Sequence, residues 1–243
     1  MGNFFASVDN PKPIIVDDAV RFHNELARKW EEKYNKDSFA ERQRVLSECL
    51  HDIGLVATTW LDAGCGTGTL SRLLARKGCT VEAVDGAPEM VSVARTLHHQ
   101  VSGSLRIDYR VVSTIEKLPF SDNYFDGILC SSVLEYVRNP AACLVEFRRV
   151  LKSQGTLLVS VPSAYSIVRM FLKLAYRCTA ALGRPWPEYF SISTHEYSAG
   201  GFTKLLLSQG FQADKVVCFG MLGHSLLRNP FLNSLLMFRA TKP

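Results

Sequence analysis

Residues 60–90 read WLDAGCGTGTLSRLLARKGCTVEAVDGAPEM, and the fold turns on this stretch. Residues 58–62 form a short apolar run closed by an acid, the pattern of a strand buried on both faces. Three glycines follow at 64, 66 and 68, where the chain must turn sharply and where missing Cβ atoms let another molecule approach the backbone. Residues 69–76 are predicted to be a helix and residues 80–85 a second strand, again ending on an acid, Asp85. Pro88, a favoured first-turn residue, opens the next helix.

On the N-terminal side, Ala19, Phe22, His23, Leu26, Ala27 and Trp30 recur at helical spacing. Val45, Leu46, Cys49 and Leu50 suggest a second helix after a turn at residues 35–38. On the C-terminal side, strands are expected at 107–112, 125–131 and 156–161, with a helix at 140–151 between the last two. A helix at 201–208 and two closing strands at 214–219 and 234–239 complete the pattern; with no helical segment between them, the closing strands are expected to pair antiparallel across a Gly/Pro-bearing loop. The fold class is therefore α/β: a Rossmann-like, doubly wound seven-stranded sheet, mostly parallel with an antiparallel last strand, plus N-terminal helices and a helical lid insertion. We expect one domain over 1–243, divided into an N-terminal helical cap (1–56), a core that holds a cofactor (57–162), a lid or substrate insertion (163–198), and a closing helix and strands (199–243).

Composition narrows the function classes. The 243 residues are 47% apolar, enough for one large core. No run approaches a membrane span, and MGNFFASVDNPKP lacks a secretory pattern, so a cytoplasmic protein is expected. Seven cysteines without a CxxC pair suggest neither a disulfide framework nor a zinc cage, and no metal is expected. The net charge of +5 comes without a basic block, so nucleic acid is not the expected partner.

In such a sheet the ligand lies beyond the carboxyl ends of the strands, beside the glycine turn. Thr69 stands where a dinucleotide fingerprint needs its third glycine, and the Lys-Ser/Thr of a phosphate loop is missing. Asp62 would repel a pyrophosphate but suits a ligand carrying an ammonium and a sulfonium, and Asp85 suits a ribose diol. A ribose with a cationic tail describes S-adenosylmethionine. The segment resembles the class I S-adenosylmethionine-dependent methyltransferases, whose first motif reads Asp-x-Gly-x-Gly-x-Gly, matched here by Asp62, Gly64, Gly66 and Gly68. The resemblance continues through VDGAPEM, IEKLPFSDNYFDGILCSSVLEYV and EFRRVLKSQGTLLVSVP, in the order of that family's later motifs. It implies that the loop with Gly64, Cys65, Gly66 and Gly68 holds the methionine moiety. Asp85, beside Gly86, would bind the ribose, with Met90 near the adenine and Ile115 and Glu116 on its other face; Cys130 joins the same set. Thr114 stands where many relatives place an aspartate that accepts the adenine amino group.

Among the subfamilies the chain is most similar to ubiquinone-biosynthesis O-methyltransferases, on RFHNELARKW and on the long insertion after the fifth strand. Some of those carry Glu-His after the fourth strand, linked to metal dependence; here the pair is Glu135-Tyr136. The implied reaction moves a methyl group to a small lipophilic or aromatic acceptor, with oxygen the favoured target atom and carbon or nitrogen methylation the alternative within enzymes. A catalytically silent S-adenosylmethionine-binding partner is the alternative. His195 in SISTHEYSAGGF is the expected base, ahead of His23, Glu135 and Tyr136. In the insertion, Arg169, Lys173 and Arg177 share one helical face, and Ile167, Met170, Phe171, Leu174 and Cys178 occupy much of the other. The helix is expected to roof the pocket with its basic face in water, or else to make weak contact with an anionic membrane surface. The oligomeric state is not legible.

Overall fold

The computed structural model describes residues 16–34, 38–101, 104–220, 229 and 231–243. Two helices, α1 (Val16–Tyr34) and α2 (Ser38–Cys49), precede the sheet; residues 35–37 of the predicted turn and most of the loop before the last strand lie outside the described residues, and Ser38 already belongs to α2. The strands are β1 (Thr59–Ala63), β2 (Thr80–Asp85), β3 (Ile107–Val111), β4 (Phe125–Ser131), β5 (Leu151–Pro162), β6 (Gln212–Phe219) and β7 (Leu235–Thr241). Between them lie α3 (Thr69–Arg76), α4 (Pro88–Val101), α5 (Pro140–Val150), α6 (Ile167–Ala181) and α7 (Ala199–Ser208).

The sheet order is β3-β2-β1-β4-β5-β7-β6. The first five strands pair in parallel, and β7 lies antiparallel between β5 and β6. β1 and β4 are neighbours although two strands and two helices separate them in sequence, so the order reverses there and opens a crevice at their carboxyl ends. Both faces of the sheet are buried, as the apolar runs require. On β1 and β4, Leu61, Ala63, Ile128 and Cys130 enter one core cluster, while Trp60 and Leu129 enter the other.

Local chemistry fixes the helix ends that matter. Asn139 caps α5 by accepting the Ala142 N–H at 3.1 Å, with Pro140 in the first turn. Gly68 stands at the N-cap of α3 with a left-handed φ of 76°. α1 packs on α4 through Ala27, Ala87 and Met90, and this contact draws it over the crevice. Among the described residues no helix is long and apolar enough to cross a membrane.

Candidate active site

The three turn glycines do different things. All have positive φ (79°, 52° and 76°), a region that costs an L-residue roughly 1–2 kcal/mol. A Cβ on Gly64 would sit 2.2 Å from Val133 Cγ2, and one on Gly68 would sit 2.5 Å from the Tyr109 hydroxyl, so these two are required by packing. A Cβ on Gly66 would meet nothing within 4 Å; it would project into open space where Gly66 lines a cavity.

Two acids flank that loop. Asp85 accepts the Gly66 N–H through Oδ2 and the Ala87 N–H through Oδ1, both at 2.8 Å, and so ties the glycine turn to the start of α4. Each oxygen keeps a second lone pair for a ligand hydroxyl. Burial raises its carboxyl above the ordinary range, opposed by the Ala87 and Gly66 N–H groups and by His23. Asp62 accepts the Ser71 hydroxyl at 2.5 Å and is pushed up to about 7, first by burial and further by Asp85. A cationic ligand with a vicinal diol fits this pair; a phosphate does not. Burial also pushes the Cys65 thiol up, so it is a packing group and not a nucleophile.

The cavity beside the loop encloses about 610 Å³, within the range of small-molecule sites. Of the sequence-predicted residues, Asp62, Gly64, Cys65, Gly66, Asp85, Gly86, Met90, Thr114, Ile115 and Glu116 all line it. Three do not. Gly68 shapes the turn from behind. Cys130 is fully buried in the core cluster because alternation along β4 points it away from the crevice. His195 lies outside the wall: its Nε2 pairs with the Val137 carbonyl at 3.1 Å and its ring stacks on Tyr197. Thr114 lines the cavity, but its hydroxyl already accepts the Glu116 N–H at 3.1 Å.

The far wall was only partly foreseen. The α1 stripe that reads as a core pattern contributes Ala19, Phe22, His23 and Trp30 to the cavity. His23 Nδ1 lies 2.7 Å from the Ala19 carbonyl, so the proton sits on Nδ1 and Nε2 keeps its lone pair. Burial lowers its pKa, opposed by the Ala19 carbonyl and by Asp85. Arg42 of α2, which no motif marks, donates through Nη1 to the hydroxyls of Ser132 at 2.7 Å and Ser131 at 3.2 Å. Ser132 holds a positive φ of 56°, unusual for a non-glycine residue and frequent at functional sites. Glu135 and Tyr136 complete this side; Glu135 is 3% exposed, and burial pushes its carboxyl up to about 7 against the pull of Arg42 and Arg169.

The insertion helix α6 departs from the sequence expectation in its first turns. Arg169 is 5% exposed and faces the cavity, where its guanidinium pairs with Glu196 at 2.7 Å and lies over the Phe190 ring. Lys173 bonds the other Glu196 oxygen. Met170, Phe171 and Leu174 are instead 60%, 63% and 58% exposed. Glu196, beneath the helix, supplies the counter-charge that draws Arg169 and Lys173 inward, while Arg177 stays exposed.

Comparisons with known proteins agree with this geometry. Residues 61–159 match the family model described as a methyltransferase domain. A ubiquinone biosynthesis O-methyltransferase from Xanthomonas campestris pv. campestris is 38% identical over 119 residues, 47% of this chain and 49% of that protein. The chain thus spans about half the length of such relatives. Among solved structures, the magnesium protoporphyrin IX methyltransferase from Synechocystis PCC 6803 with bound SAH superposes with a TM-score of 0.72 at 17% identity, covering 93% of this chain and 99% of that one. The cyclase SpnF reaches 0.71 at 16% identity, over 95% and 97%. These two likenesses establish the fold alone. Together, the family match over the glycine turn and the strands around it and the paired acids beside that turn identify residues 61–159 as a stretch of the class I S-adenosylmethionine-dependent methyltransferase kind.

Proposed function

We propose that this chain transfers a methyl group from S-adenosylmethionine to a small lipophilic or aromatic acceptor, on oxygen. The observation that carries this reading is a single cavity bordered by Asp62 and Asp85 together with Phe22, His23, Trp30, Tyr136, Trp186 and Tyr189. The cofactor supplies an activated methyl on sulfur. The chain's share is to hold it by the glycine turn and Asp85, to align the acceptor against it, and to keep water out. Residues 57–162 hold the cofactor in this account, while α1 and the insertion close over the acceptor. His195 buttresses the Val137 wall and does not touch the acceptor. The name of the Xanthomonas relative supports oxygen as the target.

A second reading concerns where the acceptor is met. Met170, Phe171 and Leu174 face outward on the helix whose inner side carries Leu172 into the cavity wall, and Trp186 borders the cavity while 57% exposed. An apolar face beside a cavity mouth, with exposed Arg177 and Arg184 near it, suits shallow contact with an anionic lipid surface from which a lipophilic acceptor would enter.

The test is incubation of methyl-labelled S-adenosylmethionine with a panel of hydroxylated aromatic acceptors. Label in an extractable product supports transfer; tight cofactor binding without transfer to any acceptor, hydroxylated or not, would leave a silent binding partner.

A further inference from the structure

Glu135 is a buried acid with one oxygen unused. It lies just beyond the carboxyl end of β4, lines the cavity, and its Oε2 has no hydrogen-bond partner among the described residues. Its backbone is fixed from outside: the Glu135 carbonyl accepts both the N–H of Thr194 at 2.9 Å and its hydroxyl at 3.1 Å. A buried carboxylate oxygen without a donor is uncommon in folded proteins, and at a ligand cavity the missing donor belongs to the ligand.

The groups around it define that donor. Arg42 from α2 and Arg169 from α6 are the cations that act on Glu135, and the Tyr136 and Tyr197 phenols feel its charge. Arg169 is committed to Glu196, and Arg42 is oriented by Ser131 and Ser132. A second acid on the ligand would meet Glu135 head-on, and an ammonium would meet Arg42. A neutral hydroxyl satisfies both: it donates to the carboxylate, and the negative charge that grows on its oxygen is stabilised by the guanidinium. The aromatic border of Phe22, Trp30, Tyr136 and Trp186 suits a planar ring bearing that hydroxyl.

Resting on the methyltransferase reading above, we infer that Glu135 Oε2 receives the acceptor's proton and that the acceptor presents an aromatic hydroxyl to it, beside Arg42. The acceptor O–H bond breaks with its proton passing to Oε2. The oxygen's electron pair forms the new bond to the methyl carbon, and the electrons of the broken carbon–sulfur bond stay on sulfur, which becomes a neutral thioether. Glu135 then returns the proton to solvent. The carboxyl near 7 fits this role, since it is a better match for a phenol than for an aliphatic alcohol.

The experiment pairs 2-naphthol with 2-methoxynaphthalene, the same ring without the donor. Affinities are measured by calorimetry for wild type, Glu135→Gln and Glu135→Asp, with and without saturating S-adenosylhomocysteine, and melting temperatures check folding. The expected result is that wild type prefers the naphthol at least tenfold, that Glu135→Gln abolishes the preference while binding S-adenosylhomocysteine as wild type does, and that Glu135→Asp partly restores it. Naphthol turnover should fall at least a hundredfold in the Gln variant. An equal preference in wild type and Glu135→Gln would overturn the assignment. So would a wild type that binds S-adenosylhomocysteine but neither ring, and that outcome would leave the methyltransferase reading standing. A wild type that fails to bind S-adenosylhomocysteine would instead refute that reading, and the cofactor-free arms would still decide whether Glu135 reads a hydroxyl. Should both variants unfold, the carboxyl infrared band of wild type decides: a naphthol-dependent shift that methoxynaphthalene does not produce is expected, and its absence overturns the proposal.

Discussion

On the proposed reading, in which Asp62 faces the cofactor's cationic tail, cofactor affinity depends on pH. Without ligand its carboxyl is held up to about 7, chiefly because burial penalises the charge, and Asp85 raises it further. S-adenosylmethionine brings an ammonium and a sulfonium to the same place, which favours the ionised acid, so proton and cofactor compete for Asp62. At pH 8 a group with a pKa of 7 is about nine-tenths ionised and the competition is negligible; at pH 6 it is about one-tenth ionised, and binding carries an extra cost of about 1.4 kcal/mol. The dissociation constant should therefore weaken about tenfold from pH 8 to pH 6, with proton release on binding that is largest below 7. Calorimetry in buffers of different ionisation enthalpy reads both quantities. Asp62→Asn should bind more weakly at pH 8 and show a nearly flat profile, so that any titration of the cofactor itself is common to both proteins and cancels. An identical slope in wild type and Asp62→Asn would refute the reasoning.

Asp85→Ala removes the anchor for Gly66 and Ala87 as well as the acceptors for two ligand hydroxyls, and should weaken S-adenosylhomocysteine binding by about 2–4 kcal/mol, read by calorimetry on protein whose circular dichroism is intact. Gly64→Ala should lower the melting temperature markedly through its clash with Val133, whereas Gly66→Ala, with open space around its Cβ, should bear only the cost of its positive φ, about 1–2 kcal/mol, and lose cofactor affinity. His195→Ala should change turnover less than about threefold, because the side chain does not border the cavity; a loss on the order of a hundredfold would restore it as the base. Replacing Met170, Phe171 and Leu174 with Ser should reduce co-sedimentation with anionic vesicles at low salt without altering cofactor binding, and an unchanged vesicle-bound fraction would dismiss the lipid contact.

The central βαβ unit was legible because its residues serve local and global structure at once. Residues 80–85 and 125–131 are strands to the residue, and Pro88 opens α4 as its fixed φ suggests. The start of β5 was hidden: Lys152, Ser153 and Gln154 carry no strand pattern, and they join the strand through an irregular pairing with β4 in which Gln154 takes a φ of 62°. Helical periodicity found α1 but could not tell a core stripe from a cavity wall, since both are apolar and one-sided. The rotation of α6 was illegible for a related reason, because the partner that draws Arg169 inward is Glu196, 27 residues away. Arg42 left no trace, since its role exists only where α2 meets the end of β4.

The central claim is that one cavity brings a methyl donor against an acceptor hydroxyl, and a single-turnover experiment tests it most directly. Protein in excess would be loaded with methyl-labelled S-adenosylmethionine, mixed with 2-naphthol, and followed by NMR. The account predicts that the label leaves sulfur and appears as an aryl methyl ether, with one S-adenosylhomocysteine formed per label transferred. Label that remains on sulfur in fully loaded protein that binds the naphthol, or that arrives on carbon, would contradict it.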